Sequence, residues 1–134
     1  MGSRGNIKTT CKDGKAPIWF YTHWQGHKTP ELLQKALQVG QSRWDDESYL
    51  NRIIFQTMVA LAIDETTGFG ISTIPNDFNN PDVVVDHDKK EVYLELRDYN
   101  TDELKSKSKR ISFKDFIEKT LNKDDQFAVF GKLK

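Results

Sequence analysis

The chain lacks a second cysteine, since Cys11 is the single one in the sequence. One cysteine cannot form an intramolecular disulfide, and its isolation argues against a zinc site built from thiolates. We therefore expect a protein of a reducing compartment, the cytoplasm.

The chain also lacks an excess of charge of either sign. It carries 20 Lys and Arg residues against 20 Asp and Glu residues, so its formal net charge is zero. A balanced chain produces no overall field that would steer it toward nucleic acid or a lipid surface. We expect no general nucleic-acid binding and no membrane association, although a local basic patch remains compatible with this balance.

Long apolar runs are missing as well. No stretch approaches the roughly eighteen apolar residues of a membrane helix, and the N-terminus has no apolar signal region. We expect a soluble protein, and 134 residues are enough for a single domain spanning 1–134.

What the chain does have is an unusual concentration of aromatic and histidine residues at 18–27, IWFYTHWQGH. Neighbouring side chains of a strand point to opposite faces. One face would then hold Ile18, Phe20, Thr22 and Trp24, and the other Trp19, Tyr21 and His23. The second of these faces must lie under a helix, in a subunit interface, or open to stack on a ligand. An excess of aromatic surface of this kind favours a homo-oligomer.

Turn and capping signals divide the chain into elements. Asp13-Gly14 predicts a hairpin of strands 6–11 and 16–24. Thr29-Pro30 starts a helix at 30–39, and Asp45 caps a longer helix at 46–63. A strand at 69–74 and a second hairpin, 83–85 with 91–97, follow.

The C-terminal part is mostly polar. Residues 98–110 contain Lys105, Lys107, Lys109 and Arg110 and are interpreted as a basic loop or mobile arm. A short helix is predicted at 113–121, and the apolar tail at 127–130 forms an edge strand or docks on a partner. These elements predict an α+β fold with an antiparallel sheet of about five strands, two hairpins and a middle strand, packed on two to three helices.

Catalytic patterns are weak. His23 and His27 are four residues apart, and two histidines at this spacing can bind one zinc ion only when both lie on the same face of a helix. His87 lies in an acidic turn. The 66–70 segment lacks the residues of a phosphate loop, and Cys11 has no local activator. We predict no metal site, no cofactor and no catalytic residue, and the pattern leans away from an enzyme.

The aromatic residues lie near possible cationic partners, which together are typical of a nucleotide pocket or of a protein interface. The predicted ligand-binding residues are Trp19, Tyr21, His23, Trp24, His27, Arg43, Arg52, Thr67, Phe69 and Ser72.

Three strings within residues 5–96 carry a resemblance. They are YTHWQG at 21–26, RWDDESYL at 43–50 with RIIF at 52–55, and TGFGIST at 67–73. Together they resemble a family of small uncharacterised bacteriophage and prophage proteins. That family has no assigned activity, so the resemblance implies a context and no functional residues.

In that context, small accessory proteins counteract bacterial immunity inside the infected host. The leading hypothesis is a phage-encoded anti-defence protein in the host cytoplasm that sequesters a small nucleotide-derived signal. The alternatives are a protein–protein inhibitor of a host or defence enzyme and a small hydrolase with His23 or His27 as general base.

Overall fold

A computed structural model describes residues 2–60, 62 and 64–134. In these residues the fold is α+β, with a mixed sheet of seven strands and three α-helices. The strands are β1 Gly5–Thr10, β2 Ile18–Thr22, β3 Phe69–Ser72, β4 Asp82–Asp86, β5 Glu91–Arg97, β6 Leu104–Lys107 and β7 Ile111–Ser112. The helices are α1 Thr29–Val39, α2 Glu47–Val59 and α3 Phe113–Phe116.

The sheet has the order β3-β2-β1-β4-β5-β6, and β7 also pairs with β5. The α+β class agrees with the sequence, but the prediction of a purely antiparallel sheet of about five strands is wrong. The central strands β1 and β4 run parallel, with Ile7 opposite Val83, whereas the other pairs are antiparallel. Parallel pairing requires a long crossover, and the segment holding α1 and α2 supplies it.

Local signals place the early elements well. Lys12, Asp13 and Gly14 all have positive φ in the turn between β1 and β2. Helix α1 begins at Thr29 with a proline in its first turn and ends before Gly40. Helix α2 is capped by Asp46, whose carboxylate accepts a hydrogen bond from Tyr49 N at 3.1 Å, one residue later than the predicted cap.

Helix α2 ends at Val59 instead of continuing to residue 63, although 61 and 63 lie outside the described residues. No helix among the described residues combines the length and apolarity needed to cross a membrane.

The C-terminal part is more ordered than the sequence suggested. Residues 104–107 of the expected arm form edge strand β6, because they pair with β5. The predicted helix at 113–121 is a single turn, α3. The tail forms a 3-10 helix, Gln126–Phe130, and no edge strand. Phe130 is fully buried and stacks on Phe116 with ring centroids 5.6 Å apart.

One face of the sheet packs against the helices, and the core lies between them. Because strand side chains alternate, one set from each central strand points into this layer. The buried residues from the sheet are Ile7, Phe20, Val83, Val85, Val92 and Leu94, and they meet Leu33, Leu37, Leu50, Ile54, Met58 and Phe113. The other face of the sheet carries no α-helix from residues 2–60, 62 and 64–134, and we call it the open face.

Candidate functional site

The open face carries the polar halves of the strands. By the same alternation it receives Asn6, Lys8, Thr10, Trp19, Tyr21, Asp82, Val84, Asp86, Tyr93, Glu95 and Arg97. Charged side chains on this face alternate with aromatic rings. Eight of these eleven residues are buried and none is exposed, so this face is a largely buried polar and aromatic layer, in contrast to the apolar helix face.

Arg97 organises one half of the open face. Its guanidinium makes two hydrogen bonds to Asp82, at 2.6 and 3.0 Å, and both side chains are almost fully buried. The group lies between two rings, 4.8 Å from the centroid of Trp19 and 4.2 Å from that of Phe78. Burial raises the pKa of the Asp82 carboxyl, and the hydrogen bonds from Arg97 oppose that shift.

This cluster explains how the second aromatic face of β2 is covered. Trp19 is only 5% exposed, and Arg97 and Lys8 lie over its ring, while Arg97 also contacts Phe78. Trp19 was predicted to bind a ligand, whereas here its ring is occupied by the protein's own cations. No external partner is needed to cover this ring.

The other half of the open face is concave. A cavity of about 420 Å³ opens there over β1, β4, β5 and β6, and we call it the open-face pocket. Its floor is Lys8, Thr10, Tyr93, Glu95 and Lys107, and its rim is Asp13, Gly14, Asp86, Asp88, Lys89 and Arg110. This volume lies within the range of about 300–1,000 Å³ that small-molecule sites occupy.

Cations surround the Tyr93 ring in this pocket. The guanidinium of Arg110 lies 4.1 Å from the ring centroid, and the Lys107 ammonium lies 5.8 Å from it. Burial, and then the Glu95 carboxylate, raise the pKa of Tyr93 to about 12. Tyr93 therefore stays protonated at neutral pH and can donate a hydrogen bond.

Several charges of the pocket are already paired. Lys8 contacts Glu95 at 3.0 Å, and Arg110 contacts Asp86 at 2.9 Å. Lys107 and Lys89 form no ion pair with any residue that the structure describes. These two ammonium groups are the cations available to an incoming anion.

Four of the predicted site residues do form a cluster, at the β2 and β3 edge. The Tyr21 hydroxyl and His23 Nδ1 share a 2.9 Å hydrogen bond, and the Trp24 ring packs edge-on against His23 and Phe69. Gly68, with φ of +94°, lies directly under Trp24, where a Cβ would collide with the indole. The strings at 21–26 and 67–73 are thus joined in space, and this contact explains the glycine.

The other predicted residues lie apart from this cluster. Arg43 and Arg52 belong to the helix layer on the opposite side of the sheet, where Arg43 stacks on Tyr49 and Arg52 bonds Gln56 at 2.5 Å. Thr67 is exposed, and Ser72 contacts the Ile74 carbonyl. The ten predicted residues therefore do not line one common pocket.

His27 pairs with a serine close to the N-terminus. Its Nδ1 lies 2.9 Å from Ser3 Oγ, which also accepts a hydrogen bond from the His27 backbone N–H. Among the described residues no carboxylate hydrogen-bonds either His27 or His23 to orient the ring as a base. A hydrolase that uses these histidines remains a prediction.

A second, smaller cavity of about 280 Å³ lies at one end of the β1 and β4 pair, on the helix side. Because Thr10 lies opposite Asp86, Cys11 and His87 follow side by side. The Cys11 thiol donates to Glu47 at 3.2 Å, and His87 Nε2 lies 2.8 Å from Asn51 Oδ1. The carboxylate, and then burial, raise the pKa of Cys11. This arrangement keeps the thiol protonated, which disfavours nucleophilic chemistry.

Metal binding receives no support from the part of the chain that the structure describes. No group of three or more His, Cys, Asp or Glu side chains there has the geometry to hold an ion.

Comparisons with known proteins give no independent indication of what these clusters and cavities do. No protein-family model, curated protein or solved structure matches the chain. The resemblance to phage proteins stays a prediction.

Sequence reasoning missed the open-face pocket for a physical reason. Its residues come from four strands, two turns and the segment between β6 and β7, and two of those strands, β1 and β4, are about seventy residues apart in the chain. One signal was present, because Tyr93 and Glu95 form the polar half of the β5 alternation. Lys107 was assigned to a mobile arm, so its place beside Tyr93 could not be anticipated.

Burial of His87 makes stability depend on pH. The side chain is 8% exposed, its Nδ1 has no hydrogen-bond partner among the described residues, and burial lowers its pKa. Glu47, Asp86 and Asp88 oppose the shift, and Lys90 adds to it. Because the unfolded histidine takes up a proton near pH 6.5 and the folded one does not, stability is lost as pH falls below about 6.5.

Thermal or urea unfolding between pH 8 and 5.5 measures this effect. One such group changes the free energy of unfolding by at most about 1.4 kcal/mol per pH unit. We expect His87→Gln to flatten the decline and the control His27→Gln, at an exposed site, to preserve it. An unchanged slope in the His87 variant would show that other groups cause the decline.

Proposed function

We propose that this protein is a non-enzymatic binding protein that sequesters a small nucleotide-derived ligand in the open-face pocket. The observation that carries the proposal is the placement of Arg110 and Lys107 on the Tyr93 ring, in a cavity of about 420 Å³ that Lys8 and Lys89 also line. Lysine and arginine bind phosphate oxygens through charge-assisted hydrogen bonds.

The balance of charge in the pocket favours a nucleotide over a simple anion. Four cations line it, Lys8, Lys89, Lys107 and Arg110, together with four carboxylates, Asp13, Asp86, Asp88 and Glu95. A nucleotide offers phosphate oxygens to the first set and base or ribose N–H and O–H donors to the second. An inorganic anion could contact the same cations, but it has no N–H or O–H donor for the carboxylates, which would repel it.

The biological setting of the proposal rests on the three strings that resemble phage proteins. In that setting the protein acts in the cytoplasm of an infected bacterium and removes a signal that the host's immunity requires. Such a role needs binding and no turnover. A role without turnover agrees with the raised pKa values of Cys11 and Tyr93, because both groups stay protonated at neutral pH and neither is an activated nucleophile.

Calorimetry with cyclic mononucleotides, cyclic dinucleotides and ADP-ribose tests the proposal. We expect at least one of them to bind, and Lys107→Glu to weaken that binding about ten- to a hundredfold, because one charged hydrogen bond contributes about 1.5–3 kcal/mol. Lys107 is exposed at the sheet edge, so the variant should fold normally.

Lys35→Glu is the matched control, because it makes the same charge change on an exposed position of α1, on the other side of the sheet. We expect it to bind like the natural protein. Equal weakening by both variants would indicate a general charge effect, and no heat with any nucleotide would remove the pocket proposal.

The second candidate, a protein–protein inhibitor, has one supporting observation. Trp24 is 48% exposed although it packs against His23 and Phe69, and exposed tryptophan is a frequent anchor of protein interfaces. In this case Trp24→Ala would abolish capture of a stoichiometric partner from host lysate. The Lys107→Glu variant would still capture it.

A further inference from the structure

The two edges of the sheet differ in how they are protected. Native proteins shield edge strands with lysines or with covering chain, because a bare edge pairs with other strands. Strand β6 has both kinds of protection: Lys105 and Lys107 lie on it, and the Lys107 backbone exchanges hydrogen bonds of 2.9 and 2.8 Å with Lys134.

Strand β3, at the opposite edge, has neither among the residues that the structure describes. It is the last strand on its side within the part of the chain that the structure describes. The surrounding sequence 66–76, TTGFGISTIPN, contains no charged residue. This edge therefore has no repulsive element that would keep a second copy of the same strand away.

The backbone of β3 is oriented for pairing. His23 N donates to Gly68 O at 2.8 Å, and Tyr21 lies opposite Gly70 in the antiparallel pair of β2 and β3. Hydrogen-bonding direction alternates along such a pair. The N–H and C=O groups of Phe69 and Ile71 consequently point away from β2, toward the free edge.

An apolar groove accompanies this edge on the helix side. Its volume is about 460 Å³, and its walls are Ile18, Phe20, Phe55, Val59 and Ile71, with Asn51, Arg52 and Gln56 at its border. Ile71 is 57% exposed. Removing apolar surface from water is favourable, so covering Ile71 would favour association.

We propose that two copies of the chain pair through β3, antiparallel and around a two-fold axis at Gly70. In that register Phe69 of each copy lies opposite Ile71 of the other, and both residues form two outward hydrogen bonds. The paired apolar side chains extend over the grooves of both copies. Gly70 has no side chain to obstruct the axis, and a Cβ added there meets no atom within 4 Å, so a substitution at this position is tolerated within one copy.

A second copy is the occupant that these features fit, because the surface is self-complementary. The two-fold axis brings each residue of β3 close to the same strand of the other copy, so a charge on β3 would lie near its duplicate, and β3 has none. Four paired residues on their own bury less than the roughly 1,200 Å² of a stable interface, so the grooves must contribute. We therefore expect a dimer of micromolar affinity.

Sedimentation over about 1–300 μM protein tests the proposal. Ile71→Pro removes an outward N–H without touching the bonds to β2, and Ile71→Lys adds an edge charge. We expect the fraction of dimer in the natural chain to rise with protein concentration. Both variants should stay monomeric at protein concentrations at least tenfold above the one at which the natural chain dimerises. Ile74→Lys is the matched control, since Ile74 is 67% exposed but outside the strand.

Cross-linking locates the axis. Across a two-fold axis at Gly70 the two Cα atoms are about 4.5 Å apart, within disulfide reach, whereas two Ser72 residues are about 13 Å apart. With oxidised glutathione, Gly70→Cys should form a dimer that reductant reverses, and Ser72→Cys should not. A monomeric natural chain, a dimer indifferent to Ile71, or equal cross-linking at both positions would overturn the proposal.

Discussion

Replacing Arg97 with Ala is expected to lower the free energy of unfolding by about 3–5 kcal/mol. The Asp82 carboxylate is 1% exposed, and its two hydrogen bonds to Arg97 are what compensates its burial. Without Arg97 the carboxylate stays buried with its charge unpaired. The stacking of the guanidinium on Trp19 and Phe78 is lost at the same time.

Urea unfolding of three further variants separates these causes. The double variant Asp82→Asn with Arg97→Met removes both charges and should recover more than half of the loss, because an apolar replacement of a buried pair is often nearly neutral. Arg52→Ala removes an exposed arginine bonded to Gln56 and should change stability by less than about 0.5 kcal/mol. A loss below about 1 kcal/mol for Arg97→Ala would contradict the role assigned to the pair.

Phe130→Ala should be comparably destabilising, by about 3–5 kcal/mol. The side chain is fully buried, stacks on Phe116 and belongs to the main core, although it lies only four residues from the C-terminus. The truncation would leave a cavity that the single-turn α3 cannot close. Chemical unfolding monitored by circular dichroism measures the change.

Val39→Ala serves as the control for Phe130, because Val39 is apolar but 69% exposed. We expect it to alter stability by less than about 0.5 kcal/mol. A neutral Phe130→Ala would instead support the prediction that the tail is free to dock on a partner.

The elements that sequence reasoning predicted well depend on local chemistry. Pro30 at the helix start, the Asp13-Gly14 turn and the alternation of 91–97 act within a few residues, so their effects can be seen in the sequence. The segment at 98–110 was predicted to be a loop or mobile arm because the residues of β6 have low strand propensity. The strand forms because β6 pairs with β5 and with Lys134, which lie outside this segment.

The site was harder to predict for the same reason. Trp19 and the cations that cover it come from β1, β2 and β5, and the parallel pairing of β1 with β4 decides which residues meet. Local patterns predicted that β2 has two aromatic faces. They could not show that Arg97, about eighty residues later, covers one of them.

An amide NMR titration of the isotope-labelled chain with the nucleotide that gives the largest heat tests the binding proposal most directly. We expect the shift changes to concentrate on the pocket floor, at Lys8, Thr10, Tyr93, Glu95 and Lys107, and to be absent from α1. Changes centred on Trp24 and Phe69, or none with any nucleotide, would contradict the proposal that the open-face pocket is the binding site.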